Sequence, residues 1–298
     1  MEFRIILCQG IFFIYYTGVV GLPCYNGNQL KSVSDRAINS VYGNGFDFSD
    51  GTSQDTEYAY DKEGNLTKEL NKKIADIQYN YLNLPNRVQF KDGNSISYVY
   101  DASGTKLCTM HIVGKDTLST DYCGNVIYEN GIPVKLLTEV GYVTLDDSKY
   151  HYFIQDYQGN IRVVVDEDGV VEEVNDYYPF GGLMSSSANT VQPYRYNGKE
   201  LDRKGGLDWY DYGARHYDAA IGRWCVVDPS SEKYYNWTPY TYCKNNPILR
   251  IDADGKDDNI VIVHEGITGL SKKDLNLYVA SIVDCIESWN YQAVLDLT

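Results

Sequence analysis

Tyrosines spaced one residue apart recur along the chain, and an Asp followed by a Gly recurs just after them. Tyr58-Ala-Tyr60-Asp61-Lys-Glu-Gly64-Asn65-Leu66 is one such unit, and Tyr98-Val-Tyr100-Asp101-Ala-Ser-Gly104 is another. Tyr79-Asn-Tyr81-Leu-Asn-Leu-Pro85-Asn86 reads as a variant with Pro in the place of Gly. Asp121-Tyr-Cys-Gly124-Asn125-Val126 follows, and Tyr150-His-Tyr152 leads into Asp156-Tyr-Gln-Gly159-Asn160-Ile161. The early units step by about twenty residues, a period typical of repeat arrays. Tyr-x-Tyr places both rings on one face of a strand. Asp-x-x-Gly then turns the chain, because Asp holds backbone amides and Gly accepts positive φ. An apolar strand returns, as in Ile161-Arg-Val163-Val164-Val165, and Asp166-Glu-Asp168-Gly169 turns it again. Alternation over Ser95–Tyr100 and Tyr142–Leu145 fits strands as well. Each hairpin leaves a face it cannot bury alone, so the pattern predicts stacking into one long curved sheet.

The pattern changes at Gly182–Pro193, which reads as an exposed loop, and a dense aromatic block runs from Tyr194 to Tyr242. Asp252–Asn259 is the next break. Beyond it Ile260–His264 reads as a strand. Ser271–Trp289 reads as a helix, with Ser271 as N-cap and an apolar stripe through Leu275, Tyr278, Val279, Ile282, Val283, Ile286 and Trp289. At the other end an apolar run, Ile5–Leu22, is short and impure for a membrane-spanning helix. It reads either as the apolar part of a signal peptide or as a truncated start.

Composition sharpens this in three ways. Tyr numbers 29 against 8 Phe, and Gly numbers 26, which suits a half-buried sheet that turns often. The net charge of −15 repels phosphate and argues against a nucleic-acid partner. Cys8, Cys24, Cys108, Cys123, Cys225, Cys243 and Cys285 form no CxxC, and with His111, His151, His216 and His264 they make no zinc-ligand spacing, so neither a metal nor a cofactor is expected. His264-Glu265 lacks a second His four residues on. Gly43-Asn-Gly45 leads into no phosphate-binding helix, and no nucleophile-elbow motif occurs.

The densest signal runs through Asp156-Tyr-Gln-Gly-Asn-Ile-Arg162, Asp176-Tyr-Tyr-Pro-Phe-Gly181 and Tyr194-Arg-Tyr-Asn-Gly-Lys-Glu200. It continues in Gly206-Leu-Asp-Trp-Tyr-Asp-Tyr-Gly-Ala-Arg-His-Tyr-Asp218, Gly222-Arg-Trp224, Asp228-Pro229, Tyr240-Thr-Tyr-Cys-Lys-Asn-Asn-Pro247 and Asp252-Ala-Asp-Gly255. In this order these motifs resemble the Rhs/YD-repeat family and its Rhs-associated core domain, and Glu232-Lys-Tyr-Tyr235 before Tyr240 resembles the Bacteroides-type version. The resemblance divides the chain into an apolar segment (1–24), degenerate YD repeats (25–149), the core domain (150–256) and a variable C-terminal tail (257–298), a fragment of a cargo domain. It implies an all-β fold of stacked YD-repeat hairpins, forming a curved sheet or partial shell, with a short α/β tail. It also implies that the core plugs one end of the shell and that a C-terminal domain, often a toxin, follows.

In some members of that family the core acts as an aspartyl protease that cuts the chain just after itself. By motif position the matching residues are Asp228, Asp252 and Asp254, with Arg223 to orient one of them. Two carboxylates sharing a proton would activate water and polarise the carbonyl. This sequence departs from cleaving members: Ala253 stands where Pro is usual, Lys256 where an apolar residue is usual, and their Gly-Gly-x-Asn is missing. The leading expectation is therefore an encapsulating scaffold of an Rhs-type polymorphic toxin or bacterial surface repeat protein, truncated and without an intact toxin domain. Its implied partners are the remainder of a shell, a C-terminal cargo and an immunity protein. Its implied location is secreted or at the cell surface, after synthesis in the cytoplasm. The alternatives are a self-cleaving aspartyl protease core and a surface glycan-binding module on Trp209, Trp224 and Trp237.

Overall fold

A computed structural model of the chain describes residues 3–8, 11–16, 23–34, 48, 50–186 and 191–260. β1 (Phe3–Cys8) and β2 (Ile11–Tyr16) pair antiparallel, overlapping the predicted apolar run, and belong to the smaller of two compact units. The second unit starts with the hairpin of β3 (Pro23–Asn26) and β4 (Gln29–Val33).

The wall of this unit is one antiparallel sheet of fourteen strands in chain order. Its first half is β5 (Tyr58–Tyr60), β6 (Leu66–Glu69), β7 (Ile74–Tyr79), β8 (Pro85–Phe90), β9 (Ser95–Tyr100), β10 (Lys106–Val113) and β11 (Asp116–Cys123). Its second half is β12 (Val126–Glu129), β13 (Ile132–Thr138), β14 (Gly141–Thr144), β15 (Tyr150–Gln155), β16 (Ile161–Asp166), β17 (Val171–Tyr177) and β18 (Leu183–Ser186). A smaller four-stranded sheet follows: β19 (Glu200–Asp202), β20 (Trp209–Asp211), β21 (His216–Asp218) and β22 (Arg223–Trp224). β23 (Arg250–Asp252) and β24 (Asp258–Ile260) close the described chain. The strand and helix expected at 260–289 lie, beyond Ile260, outside the described residues.

The Asp corners are built as their chemistry requires. At Asp61, Asp101, Asp156 and Asp166 the same carboxylate oxygen accepts the amides two and four residues on, at 2.8–3.1 Å. Gly64, Gly104, Gly159 and Gly169 take positive φ three residues after each Asp. The Tyr79–Pro85 unit is two residues out of the expected register. Asn80 plays the Asp, accepting from Leu82 and Leu84, and Asn83 takes φ +58° in place of Gly. Tyr81 therefore sits in the turn and is 77% exposed rather than facing the core, while Pro85 opens β8. Asp121 likewise lies inside β11, and the corner after it is a Gly124-Asn125 turn between the paired Cys123 and Val126. At Tyr150-His-Tyr152 it is His151 that is buried and both rings that are exposed, since a one-residue shift swaps the faces of a strand. The expected loop at 182–193 contains β18, paired to β17.

The sheet curves around the residues that follow it. β6 and β17 are eleven steps apart, about 53 Å in a flat sheet at ~4.8 Å per step. A body the size of residues 191–255 is only about 28 Å across. Yet Lys72, after β6, reaches Asp218 at 2.6 Å, and Glu173, on β17, reaches Arg195 at 2.8 Å. Between these points Tyr98 and His111 bind Asp202, Lys106 binds Glu200 and Asp211, Tyr122 binds Glu200, and Asn160 binds the amide of Asn197. Residues 191–255 therefore form a plug against the concave face. Wall and plug share a core in which Tyr58, Ile74, Val88, Phe90 and Ile96 pack with Leu207 and Trp209. Inside the plug Tyr217 stacks on Tyr242 at 4.1 Å, and the hydroxyls of Tyr212 and Tyr242 both donate to Asn197 Oδ1 at 2.7 Å.

Candidate functional site

The Asp228-Pro229 and Asp252-Ala-Asp-Gly255 motifs are 23 positions apart in sequence and meet on one buried guanidinium, that of Arg215. Arg215 Nη1 lies 3.2 Å from Asp228 Oδ2, and Nη2 lies 3.3 Å from Asp252 Oδ2. Its Nε donates to the Gly255 carbonyl at 2.5 Å. The guanidinium carbon is 4.1 Å from the centroid of the Trp224 ring, a cation–π contact that orients the fork.

Each carboxylate is fixed by its own turn. Asp228 Oδ1 accepts the Ser230 amide at 2.6 Å. Asp252 Oδ1 accepts three amides, from Asp254, Gly255 and Lys256, at 3.2, 2.7 and 3.2 Å. Gly255 is required here: it sits at φ +79°, and a β-carbon would lie 2.9 Å from the Arg215 amide nitrogen. Burial raises the proton affinity of both Asp228 and Asp252, against the pull of Arg215, and burial also lowers that of Arg215. The three groups line an open cleft with Tyr234, Lys244 and Asp258.

The other two sequence candidates lie elsewhere. Asp254 is exposed, and its carboxylate only caps the Lys256 amide. Arg223 donates to the Asn28 carbonyl at 2.6 Å and packs over Tyr25 and Tyr240, tying the β3–β4 hairpin to the plug. The arginine beside Asp228 and Asp252 is Arg215, not Arg223. Its signal is the Gly213-Ala-Arg215-His216 segment of the core motif, which no spacing rule links to Asp228.

Chemically the arrangement is a cation clamped between two anions. A guanidinium separates the carboxylates, so they do not share a proton as an aspartyl dyad does. Among the described residues no group of three or more His, Cys, Asp or Glu could hold a metal ion. Of the three tryptophans of the expected sugar platform, Trp209 and Trp224 are buried in the core, and Trp237 is substantially exposed. A ring with neither face free cannot stack on a sugar.

No protein-family model matches the sequence. Curated relatives include Salivary gland surface protein 1 of Aedes aegypti, 30% identical over 70% of this chain and 7% of that protein. The tRNA nuclease WapA of Bacillus subtilis is 30% identical over 76% of this chain and 9% of its own length. Toxin subunit YenC2 of Yersinia entomophaga is 36% identical over 30% of this chain and 10% of its own. The chain thus spans about a tenth or less of these relatives. Among solved structures, the TcdB2-TccC3-Cdc42 crystal structure matches with a TM-score of 0.57 at 21% identity, over 66% of this chain and 11% of that one. A Photorhabdus luminescens Tc holotoxin pore with an Asp-to-Ala change in TccC3 matches with a TM-score of 0.53 at 19% identity, over 72% and 13%. The shared fold is a large antiparallel wall, unclosed among the described residues.

Proposed function

We propose that this chain is a section of an Rhs-type encapsulating shell, a repeat wall with its core-domain plug, serving as a scaffold in a secreted polymorphic toxin or surface repeat protein. Its partners are the remaining repeats of the wall and the cargo that follows the plug. The reading rests on the line of buried charged and tyrosine contacts from Lys72 to Glu173, which fastens successive strands of the wall to one central body. Such a line of fastenings has a mechanical use, holding an open sheet in a curve, and Arg215 extends it to the last turn of the plug at Gly255. Likeness to toxin-complex chains supports the same role. Limited proteolysis of the wall tests it. Cleavage within the fourteen-stranded sheet is expected to be faster in an Arg195→Met chain than in the wild type. Equal cleavage in the two contradicts a wall held by its plug.

Self-cleavage after the plug is a second reading, supported by one observation: the Gly255 carbonyl is polarised by Arg215, which also holds Asp228. A clipped product on a denaturing gel that vanishes in Asp228→Asn would establish it. A single intact band from the wild type would remove it.

A further inference from the structure

Lys72 and Asp218 meet where the β6–β7 turn faces the plug, and the buried carboxyl of Glu69 lies near enough for its charge to act on both. Lys72 Nζ is 2.6 Å from Asp218 Oδ2 and also donates to the Leu207 carbonyl at 2.9 Å. Asp218 is fully buried. Its Oδ1 accepts the Ala220 amide at 3.0 Å, and its Oδ2 faces the Trp209 indole nitrogen at 3.4 Å. Glu69, the last residue of β6, is 1% exposed, and among the described residues neither of its carboxyl oxygens has a hydrogen-bond partner. The charges acting on it are those of Lys72 and Asp218. The surroundings are apolar: Tyr58, Ile74, Leu207, Trp209 and Cys225 belong to one buried cluster.

A buried carboxyl with no partner is costly, and a protein retains one when it is neutral or has work to do. Burial pushes the Glu69 carboxyl up to about 8, so it carries a proton at neutral pH. A largely buried amine, a buried carboxyl in contact with it and a neutral buried acid nearby are the components of amide formation. Holding the reactants in contact replaces a bimolecular encounter by an intramolecular step.

We propose that Lys72 and Asp218 condense spontaneously into an intramolecular amide bond, with Glu69 as the proton-transfer group, fixing the wall covalently to the plug. The bookkeeping closes without a co-reactant. Within the ion pair the ammonium passes one proton to Asp218, leaving an amine and a carboxylic acid. The nitrogen lone pair attacks Asp218 Cγ, and the N–C bond forms. Glu69 protonates the departing hydroxyl, the C–O bond breaks, and one water leaves. Glu69 then recovers its proton from the nitrogen. Nothing is oxidised or reduced.

The neighbouring lysine shows what the site needs. Lys106 lies as close to two carboxylates, 2.7 Å from Glu200 and 2.6 Å from Asp211. No neutral acid stands beside it: burial disfavours charge on Asp211, but Lys106 outweighs this and holds its carboxyl well below the usual range. Burial opposes the charge on Lys72 and Lys106 alike, and carboxylate neighbours outweigh it and raise the proton affinity of both. The neutral acid alone therefore separates the two sites, and Lys106, which lacks one, is not expected to react.

Intact-mass measurement of the full chain after folding and denaturation tests the proposal. The expected wild-type mass is lower than the sequence mass by one water. A tryptic digest is expected to lack cleavage after Lys72 and to contain a branched peptide joining the Lys72 and Asp218 segments. Lys72→Met and Asp218→Ala should show the full mass. Glu69→Gln, with its fold checked by near-ultraviolet circular dichroism, should form the bond about 100-fold more slowly or worse, the usual loss on removing a general acid. A folded wild-type chain at full sequence mass with a linear Lys72 peptide overturns the bond and leaves the scaffold reading intact. A bond that forms at the wild-type rate in Glu69→Gln overturns the part given to Glu69.

Discussion

Glu173 of β17 and Arg195 of the plug meet at 2.8 Å, with 1% and 4% of their side chains exposed, and Gln192 donates to the same carboxylate. This pair fastens the late strands of the wall, as Lys72 fastens the early ones. Removing one partner leaves a buried charge uncompensated, which costs about 3–5 kcal/mol. Arg195→Met is therefore expected to lower the urea midpoint sharply. The double change Arg195→Met with Glu173→Leu should recover most of the loss. No loss in the single variant would mean that the wall is not held there.

The Lys106 cluster carries the acid limit of the fold. Burial works against charge on Asp211, and Lys106 more than reverses it, so its folded proton affinity lies below the unfolded value. A depressed carboxylate adds stability that is present above the unfolded range, about pH 3.9, and is lost as pH falls through the lower folded value. Stability should fall below about pH 4, with a slope of up to ~1.4 kcal/mol per pH unit from this one proton. Chemical unfolding at several pH values checks it. Lys106→Met should flatten that part of the curve.

Glu69 acts in the opposite sense. Its folded value is raised by burial from 4.5 to about 8, so the unfolded chain sheds the proton first. Its contribution is fully present below about pH 4.5 and is lost as pH rises toward 8. Glu69→Gln should remove a decline of on the order of 1 kcal/mol per pH unit across that window. An unchanged curve would mean that the carboxyl is ionised in the folded chain.

Gly181 separates backbone strain from crowding. It takes φ +86°, and a β-carbon there would lie 2.5 Å from the Tyr196 ring. Gly93 takes φ +93° with open space around it. Gly181→Ala should cost about 3 kcal/mol or more, and Gly93→Ala about 1 kcal/mol, the cost of the dihedral alone. Thermal melts of the two variants compare the effects directly.

The sequence disclosed what is local. Asp61, Asp101, Asp156 and Asp166 each write their corner within five residues, so those hairpins were legible. The Tyr79 unit was misread because Asn83 reaches positive φ as Gly does, which moved the corner without removing it. Tyr150 and Tyr152 share one face of β15, as their spacing requires, but that face is the exposed one, and pattern alone does not choose between the faces of a strand whose neighbours are equally apolar. The site was half legible. Asp228 and Asp252 do meet on one cation, but that cation is Arg215. Arg223 is nearer to Asp228 in sequence and serves the β3–β4 hairpin instead. Long-range burial made that choice, and no spacing encodes it. Trp209 and Trp224 were available to a glycan reading only until their burial was known.

The curvature of the wall is the claim on which the scaffold reading stands, and a distance across it is its most direct test. Nitroxides attached through keto-bearing unnatural residues at exposed positions Asp76 on β7 and Val171 on β17 span ten strand steps. Pulsed electron–electron resonance should return a distance well short of the ~48 Å that ten steps give in a flat sheet. A distribution centred at or beyond ~48 Å would contradict a wall folded around its plug.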